Sequence, residues 1–315
     1  MCRLLAYVAP APTCINEVIG DGQCETFQRM GRLHDDGWGS MWIDETGARP
    51  RLVRERDAAS AFGDVRLAHA LREPLSRART FHLRLATGAL PVRLENTHPF
   101  VVDGIGLAHN GSFLPTELVR DLLEPEFAAA VEGDTDSELY LALVRQHAAS
   151  APTLPDAVRS AVATLRALYP TASLNAVVMD ARQMIVVHAS TTAAVPYEHF
   201  DASGLRPAEL PADHNESYYR LGMLRTPQGA LAFSSSGLDR SGWLMLPDET
   251  VTVVDVATMQ VRVQPLPDFS VSAPAGRLTG WRAARPESIG RRPIDRQPIE
   301  RGTVAAEPAT QGQPV

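Results

Sequence analysis

The sequence contains no lysine: all 30 of its basic residues are arginine. That absence removes the phosphate-cradling P-loop lysine, Schiff-base chemistry and Ser-Lys dyads from the possible activities. Cysteine is scarce as well. Cys2, Cys14 and Cys24 form neither an even disulfide set nor a CxxC pair, so neither a disulfide framework nor a paired-thiolate zinc site is expected. A reducing cytoplasm is the simplest compartment for such a chain. No stretch approaches the ~20 consecutive apolar residues that span a bilayer. The first residues could pass for a lipoprotein leader ending at Cys14, but Arg3 is their only positive charge. Pro10 and Pro12 also interrupt the apolar run, and no leader is expected. A formal charge of −7 without a dense basic stripe argues against nucleic acid as a partner.

What is present reads as a globular protein: 44% of the residues are apolar and 21% charged, enough to bury a core without staples. Period-two alternation predicts strands over Leu4–Val8, Trp38–Ile43, Thr80–Thr87 and Ile105–His109. Helical spacing predicts a short helix over Pro115–Leu123 and longer ones over Asp136–Ala148 and Pro155–Leu168. Strands return over Leu174–Met179, Met184–Ala189, Ala230–Phe233 and Val251–Val256, while Thr192–Tyr218 reads as a long loop. Strands, helices, then strands again indicate a layered α+β architecture with two sheets. Two regions are expected: a catalytic domain over residues 2–268 and a Pro/Arg-rich, disordered tail over 269–315.

Cys2 follows the initiator methionine. With Met1 trimmed, one residue would carry a thiol and a free α-amine whose reference pKa of ~7.7–8.0 leaves part of it neutral near pH 7. Nucleophile and base would then share one residue. Acyl transfer also needs donors for the developing oxyanion. His109-Asn110-Gly111 supplies a side-chain amide and a backbone N–H at a strand end. A γ-glutamyl substrate carries an α-carboxylate and an α-ammonium. Arg84, set opposite Leu83 and Leu85, offers a planar fork for the first, and Asp136, at a helix start, a charge for the second. Blander readings exist for each: a small apolar residue opening a strand, an Asn-Gly turn, a surface ion pair, a helix N-terminal acid.

The order of short motifs decides between them. Met1-Cys2-Arg3-Leu4-Leu5-Ala6-Tyr7, Asp36-Gly37-Trp38-Gly39, Arg84-Leu85-Ala86-Thr87, Asn96-Thr97-His98-Pro99-Phe100, His109-Asn110-Gly111 and Thr135-Asp136-Ser137-Glu138 resemble, in sequence order, the class II glutamine amidotransferases. The resemblance implies an N-terminal nucleophile hydrolase fold, a four-layer αββα sandwich. It implies Cys2 as nucleophile, Asn110 and Gly111 as oxyanion hole, and Arg84, Thr87 and Asp136 as binders of the glutamyl head. Asp36–Gly39 and Asn96–Phe100 would frame the pocket, with His98 as a hydrogen-bonding support. It implies no cofactor and no metal, and the spacing of His34, His82, His98 and His109 matches no metal motif. The forms of the second and fourth motifs resemble stand-alone members, γ-glutamyl hydrolases of ergothioneine synthesis and glutathione breakdown. Two positions depart from the fused members: Gly88 stands where they often carry a polar residue, and Leu85 where they often carry Trp.

The expected activity is therefore hydrolysis of a γ-glutamyl amide, in glutamine or a γ-glutamyl conjugate, through a Cys2 thioester. The alternative is a glutaminase subunit delivering ammonia to a separate synthase. A catalytically silent binding protein would have no need of the nucleophile. A serine hydrolase is not expected either, because Ser234-Ser235-Ser236-Gly237 lacks the G-x-S-x-G elbow. The expected partner is a small γ-glutamyl substrate, joined under the alternative reading by a synthase, and neither nucleic acid nor membrane.

Overall fold

Along β1 (Arg3–Thr13), Leu4, Ala6 and Val8 enter one core while Leu5 and Tyr7 enter another. This is the period-two alternation of a strand buried on both faces. The structure, a computed structural model, describes residues 2–87 and 90–267; Met1, Gly88 and the segment expected as a tail lie outside the described residues. Three more strands follow in the first half: β2 (Trp38–Asp44), β3 (Arg51–Asp57) and β4 (Ser76–Leu83). Next come β5 (Phe100–Val102), β6 (Ile105–Gly111), β7 (Leu174–Met179) and β8 (Gln183–His188). The last are β9 (Gly222–Arg225), β10 (Leu231–Ser234), β11 (Leu244–Met245), β12 (Thr250–Asp255) and β13 (Val261–Pro265). They form two antiparallel sheets, in the orders β11-β9-β10-β1-β4-β2-β3 and β13-β12-β8-β7-β6-β5.

The two sheets face each other across a core of Leu4, Ala6, Val8, Met41, Ala108, Val177 and their neighbours. Short helices α1 (Ile15–Ile19), α2 (Asp21–Arg29) and α3 (Val65–Ala70) cover the outer face of the first sheet, burying Ile15, Phe27 and Leu67 against Leu5, Tyr7, Trp38 and Phe81. On the second sheet, α4 (Glu117–Arg120), α5 (Pro125–Ala128), α6 (Asp136–Ala148) and α7 (Leu154–Leu168) pack through Val119, Leu139, Leu143, Val158 and Leu165. The layers therefore run helix, sheet, sheet, helix: the expected αββα sandwich. Among the described residues no helix is long and apolar enough to cross a membrane.

Local chemistry sets several boundaries. The hydroxyl of Thr135 accepts the Glu138 N–H at 3.2 Å and starts α6 where expected, as an N-cap does. Thr153 caps α7 in the same way. The strand expected over Thr80–Thr87 stops at Leu83, because the chain beyond it is taken by the Asp36 loop. The Arg84 N–H donates to the Gly37 carbonyl at 2.8 Å, the Asp36 N–H to the Arg84 carbonyl at 3.1 Å, and the Ala86 N–H to the Asp36 carboxylate at 2.7 Å. The helix expected over Pro115–Leu123 shrinks to the single turn α4. The stretch expected as a loop after Thr192 contains α8 (Tyr197–Ala202), anchored by Phe200 against Leu33, Tyr218 and Tyr219.

Gly39 sits where the segment leading into β5 passes over β2. A Cβ there would lie 2.1 Å from the His98 carbonyl oxygen and 2.8 Å from that of Glu55, so only glycine lets the lead-in to β5 cross β2. Gly39→Ala is expected to destabilise the protein by roughly 1–3 kcal/mol, read as a lower urea midpoint. An unchanged midpoint would mean that the His98 segment yields without cost.

Candidate active site

The register of β1 on β4 builds the site. Arg3 pairs with Leu83 and Leu4 with His82; one residue further, Cys2 comes beside Arg84. On the face that β1 and β4 turn toward the second sheet, Cys2, His82 and Arg84 follow one another. Cys2 is 5% exposed, and its S–H points at the Leu85 carbonyl at 3.9 Å. Three residues that the sequence reading passed over hold it. Arg3, fully buried, donates from Nε to the Cys2 carbonyl at 2.6 Å and from Nη1 to the Tyr218 and Ser236 carbonyls, with its guanidinium 3.9 Å from the Tyr218 ring centroid. Ser235 accepts the Leu4 N–H on its hydroxyl at 3.0 Å, and its own N–H donates to the Leu4 carbonyl. The serine run is thus a clamp on the strand that follows Cys2. An arginine inside an otherwise apolar strand was the signal for it.

Arg84 is 2% exposed, and among the described residues it forms no ion pair. Its two long hydrogen bonds reach the Asp36 and Pro91 carbonyls at 3.3 and 3.4 Å. Burial pushes its pKa down, while Cys2, Asp36 and Asp136 push it back up. A buried guanidinium without a carboxylate is costly to keep and suits a site completed by an anionic ligand. Asp136 is also near, at the start of α6. One carboxylate oxygen accepts the Phe113 N–H at 2.8 Å and the other the Ser137 N–H at 2.9 Å, which leaves lone pairs for a further donor. Thr87 is half-buried, next to the undescribed Gly88.

The oxyanion candidates come from the other sheet. Asn110 is fully buried on β6, yet neither its amide nitrogen nor its amide oxygen has a hydrogen-bond partner among the described residues. Gly111 ends the strand; a Cβ there would lie 1.8 Å from the Ser173 carbonyl oxygen. His109 is spent on structure: Nε2–H donates to the Ser173 carbonyl at 3.0 Å and Nδ1 accepts the Ser137 hydroxyl at 2.9 Å. Burial lowers its pKa, in keeping with this neutral tautomer.

His82 joins the two halves. Its Nε2–H donates to the His109 carbonyl, next to Asn110, at 3.0 Å, and burial pushes its pKa down to about 3. His98, expected as a hydrogen-bonding support, instead stacks on His82 with centroids 4.0 Å apart, and neither of its ring nitrogens has a partner among the described residues. The sulfur of Cys2 and one ring nitrogen from each of His82 and His98 lie within 4.8 Å of one another. Trp38 of the expected pocket frame faces the other way. It packs in the helix-side core with Nε1–H on Asp64 at 2.9 Å. Asn96 holds the frame from behind by accepting the Asp134 N–H at 2.9 Å and donating to the Pro91 carbonyl at 3.0 Å.

Residues 1–203 match the family model described as glutamine amidotransferases class-II. A gamma-glutamyl-hercynylcysteine sulfoxide hydrolase from Mycolicibacterium smegmatis is 24% identical over 274 residues, covering 84% of this chain and 100% of that protein. The glutamine–fructose-6-phosphate aminotransferase (isomerizing) of Aliivibrio fischeri is 36% identical over 183 residues, covering 58% of this chain and 27% of that one. Among solved structures, a glutamine aminotransferase class-II domain protein from Silicibacter pomeroyi superposes with a TM-score of 0.57 at 19% identity, over 85% of this chain and 100% of that one. The likeness to this structure is one of fold.

The buried histidines make stability depend on pH. His34, His82, His98 and His214 all have pKa values depressed by burial, His214 to about 2. Once unfolded they protonate near their ordinary value of about 6.5. Their contribution is therefore complete above about pH 6.5 and is lost as pH falls toward the folded values, at up to ~1.4 kcal/mol per pH unit for each histidine. The urea midpoint should fall between about pH 7 and pH 5, before most carboxylates titrate. A flat profile over that range would contradict the assignment.

Proposed function

The chain belongs to the class II glutamine amidotransferases, and on that premise we propose that it hydrolyses a γ-glutamyl amide bond with Cys2 as nucleophile and Asn110 and Gly111 as oxyanion hole. The observation that carries this reading is the Asn110 amide. It is fully buried and, among the described residues, unpartnered, one residue beyond the carbonyl that holds His82 beside the Cys2 sulfur. Leaving a buried donor unmade costs about 1–3 kcal/mol, and a group kept in that state fits one that acts when an oxyanion forms.

In this mechanism Met1 is removed and the α-amine of Cys2 takes the thiol proton. The sulfur attacks the γ-carbonyl carbon, and the carbonyl oxygen becomes an oxyanion received by Asn110 Nδ2–H and the Gly111 N–H. Collapse breaks the C–N bond; the leaving amine departs with the proton from the Cys2 ammonium, and a thioester remains. Water, deprotonated by the same amine, then attacks the thioester and releases glutamate and the free thiol. Arg84 pairs with the substrate α-carboxylate and Asp136 with its α-ammonium, with Thr87 and His98 at the edges of the glutamyl pocket. Three free, buried cysteines suit a reducing, cytoplasmic setting.

A stand-alone hydrolase is favoured over a glutaminase subunit serving a synthase. The match to the hydrolase runs the whole length of that protein, whereas the match to the aminotransferase covers 27% of it. A hydrolase gains kcat/KM from contacts with the group beyond the scissile amide. Steady-state kinetics of the isolated chain should therefore show a γ-glutamyl conjugate with a sizeable leaving group cleaved faster than glutamine. In the same assay Asn110→Ala should lower kcat by ~10²–10³ with little change in KM. Glutamine as the better substrate, or activity only with an added synthase, would move the assignment to the subunit. A raised KM at constant kcat would make Asn110 a binding residue.

A further inference from the structure

Neither His82 nor His98 moves a proton in the acyl transfer above, yet a ring nitrogen of each lies within 4.8 Å of the Cys2 sulfur and of the other. His82 is fully buried. Its Nε2–H is held by the His109 carbonyl, so Nδ1, which has no partner among the described residues, presents a bare lone pair. Metal-ligating imidazoles are commonly fixed in this way, one nitrogen donating to a carbonyl while the other faces the ion. The His98 ring stacks on His82 at an interplanar angle of 28°. Two near-parallel rings cannot aim both in-plane lone pairs at one ion about 2.0–2.1 Å away, so this arrangement lets one imidazole ligate while the other packs beside it.

The remaining donors come from Cys2. Given Met1 removal, as in the mechanism above, its thiolate and α-amine close a five-membered chelate ring on a single ion. We propose that the nucleophile is also an inhibitory zinc site, in which Cys2 Sγ, the Cys2 α-amine and His82 Nδ1 bind one Zn²⁺. Sulfur and nitrogen donors select zinc over magnesium or calcium, and the fourth tetrahedral position is left for water. One ion occupies nucleophile and base together, the thiol proton leaving to solvent, so zinc and γ-glutamyl substrate exclude each other.

Cobalt(II) titration of the metal-free protein, in the absence of substrate, tests this independently of any hydrolase assay; intact mass of the same sample records the N-terminus. One cobalt per chain is expected, with a thiolate-to-cobalt charge-transfer band that zinc abolishes by displacement. Cys2→Ala should remove the band. His82→Gln, whose amide can still donate to the His109 carbonyl, should weaken binding ~10–100-fold, while His98→Phe, which keeps the stacked ring, retains the parent affinity. A chain beginning at Cys2 that hydrolyses its substrate but takes up no cobalt overturns the zinc site alone. Unweakened binding by His82→Gln also overturns it. An active chain that retains Met1 overturns both the site and the mechanism it rests on.

Discussion

The hydrogen bond from His82 to the His109 carbonyl, 3.0 Å long, links a strand of one sheet to a strand of the other at the level of Cys2. Cys2 immediately precedes β1 of the first sheet, and Asn110 and Gly111 end β6 of the second. The proposed nucleophile and the proposed oxyanion hole therefore come from two separately built sheets that must meet in one register. Other features serve the same requirement. Gly39 lets the His98 segment cross β2 without a side chain between them. Apolar residues from both sheets interdigitate behind the site. Arg3, Ser235 and Ser236 fix the first residues of β1 against drift along the sheet.

The polar groups around Cys2 divide into two kinds. Some are fully satisfied and rigid: His109 uses both ring nitrogens, and Asp136 is anchored through the Phe113 and Ser137 N–H groups. Others are buried and, among the described residues, incompletely paired: the Asn110 amide, the Arg84 guanidinium and Nδ1 of His82. A folded protein bears such groups at a cost of about 1–3 kcal/mol each, offset by the three apolar layers around them. Their concentration beside one thiol is the physical reason to place the chemistry there, since unsatisfied groups in a rigid frame are already oriented for a ligand.

Much of this was legible in the sequence. α6 and β7 fall on their expected residues because helical spacing coincides with a capping threonine in the first and Ala176–Met179 form an apolar run in the second. The order of six short motifs identified the family and, through it, the sandwich. The misses have local causes. Helices α1 to α3 are five, nine and six residues long, too short for helical spacing to stand out. β4 ended early because a neighbouring loop took its hydrogen bonds. The meeting of Cys2 with His82 and His98 could not be read from spacing at all: it arises from the pairing of β1 with β4 and from ring stacking on the segment that enters β5. The serine clamp was hidden because three serines after a strand look like a turn until their hydroxyls are placed.

On the proposed mechanism, a thiol at the chain's own N-terminus forms a γ-glutamyl thioester. Acid-quenched mass spectrometry of the protein mixed with a slowly turned-over γ-glutamyl amide tests it most directly. The expected product is an N-terminal peptide that begins at Cys2 and carries one γ-glutamyl group, lost on treatment with hydroxylamine. An active protein whose N-terminal peptide retains Met1, or whose glutamyl adduct lies on another residue, would contradict it.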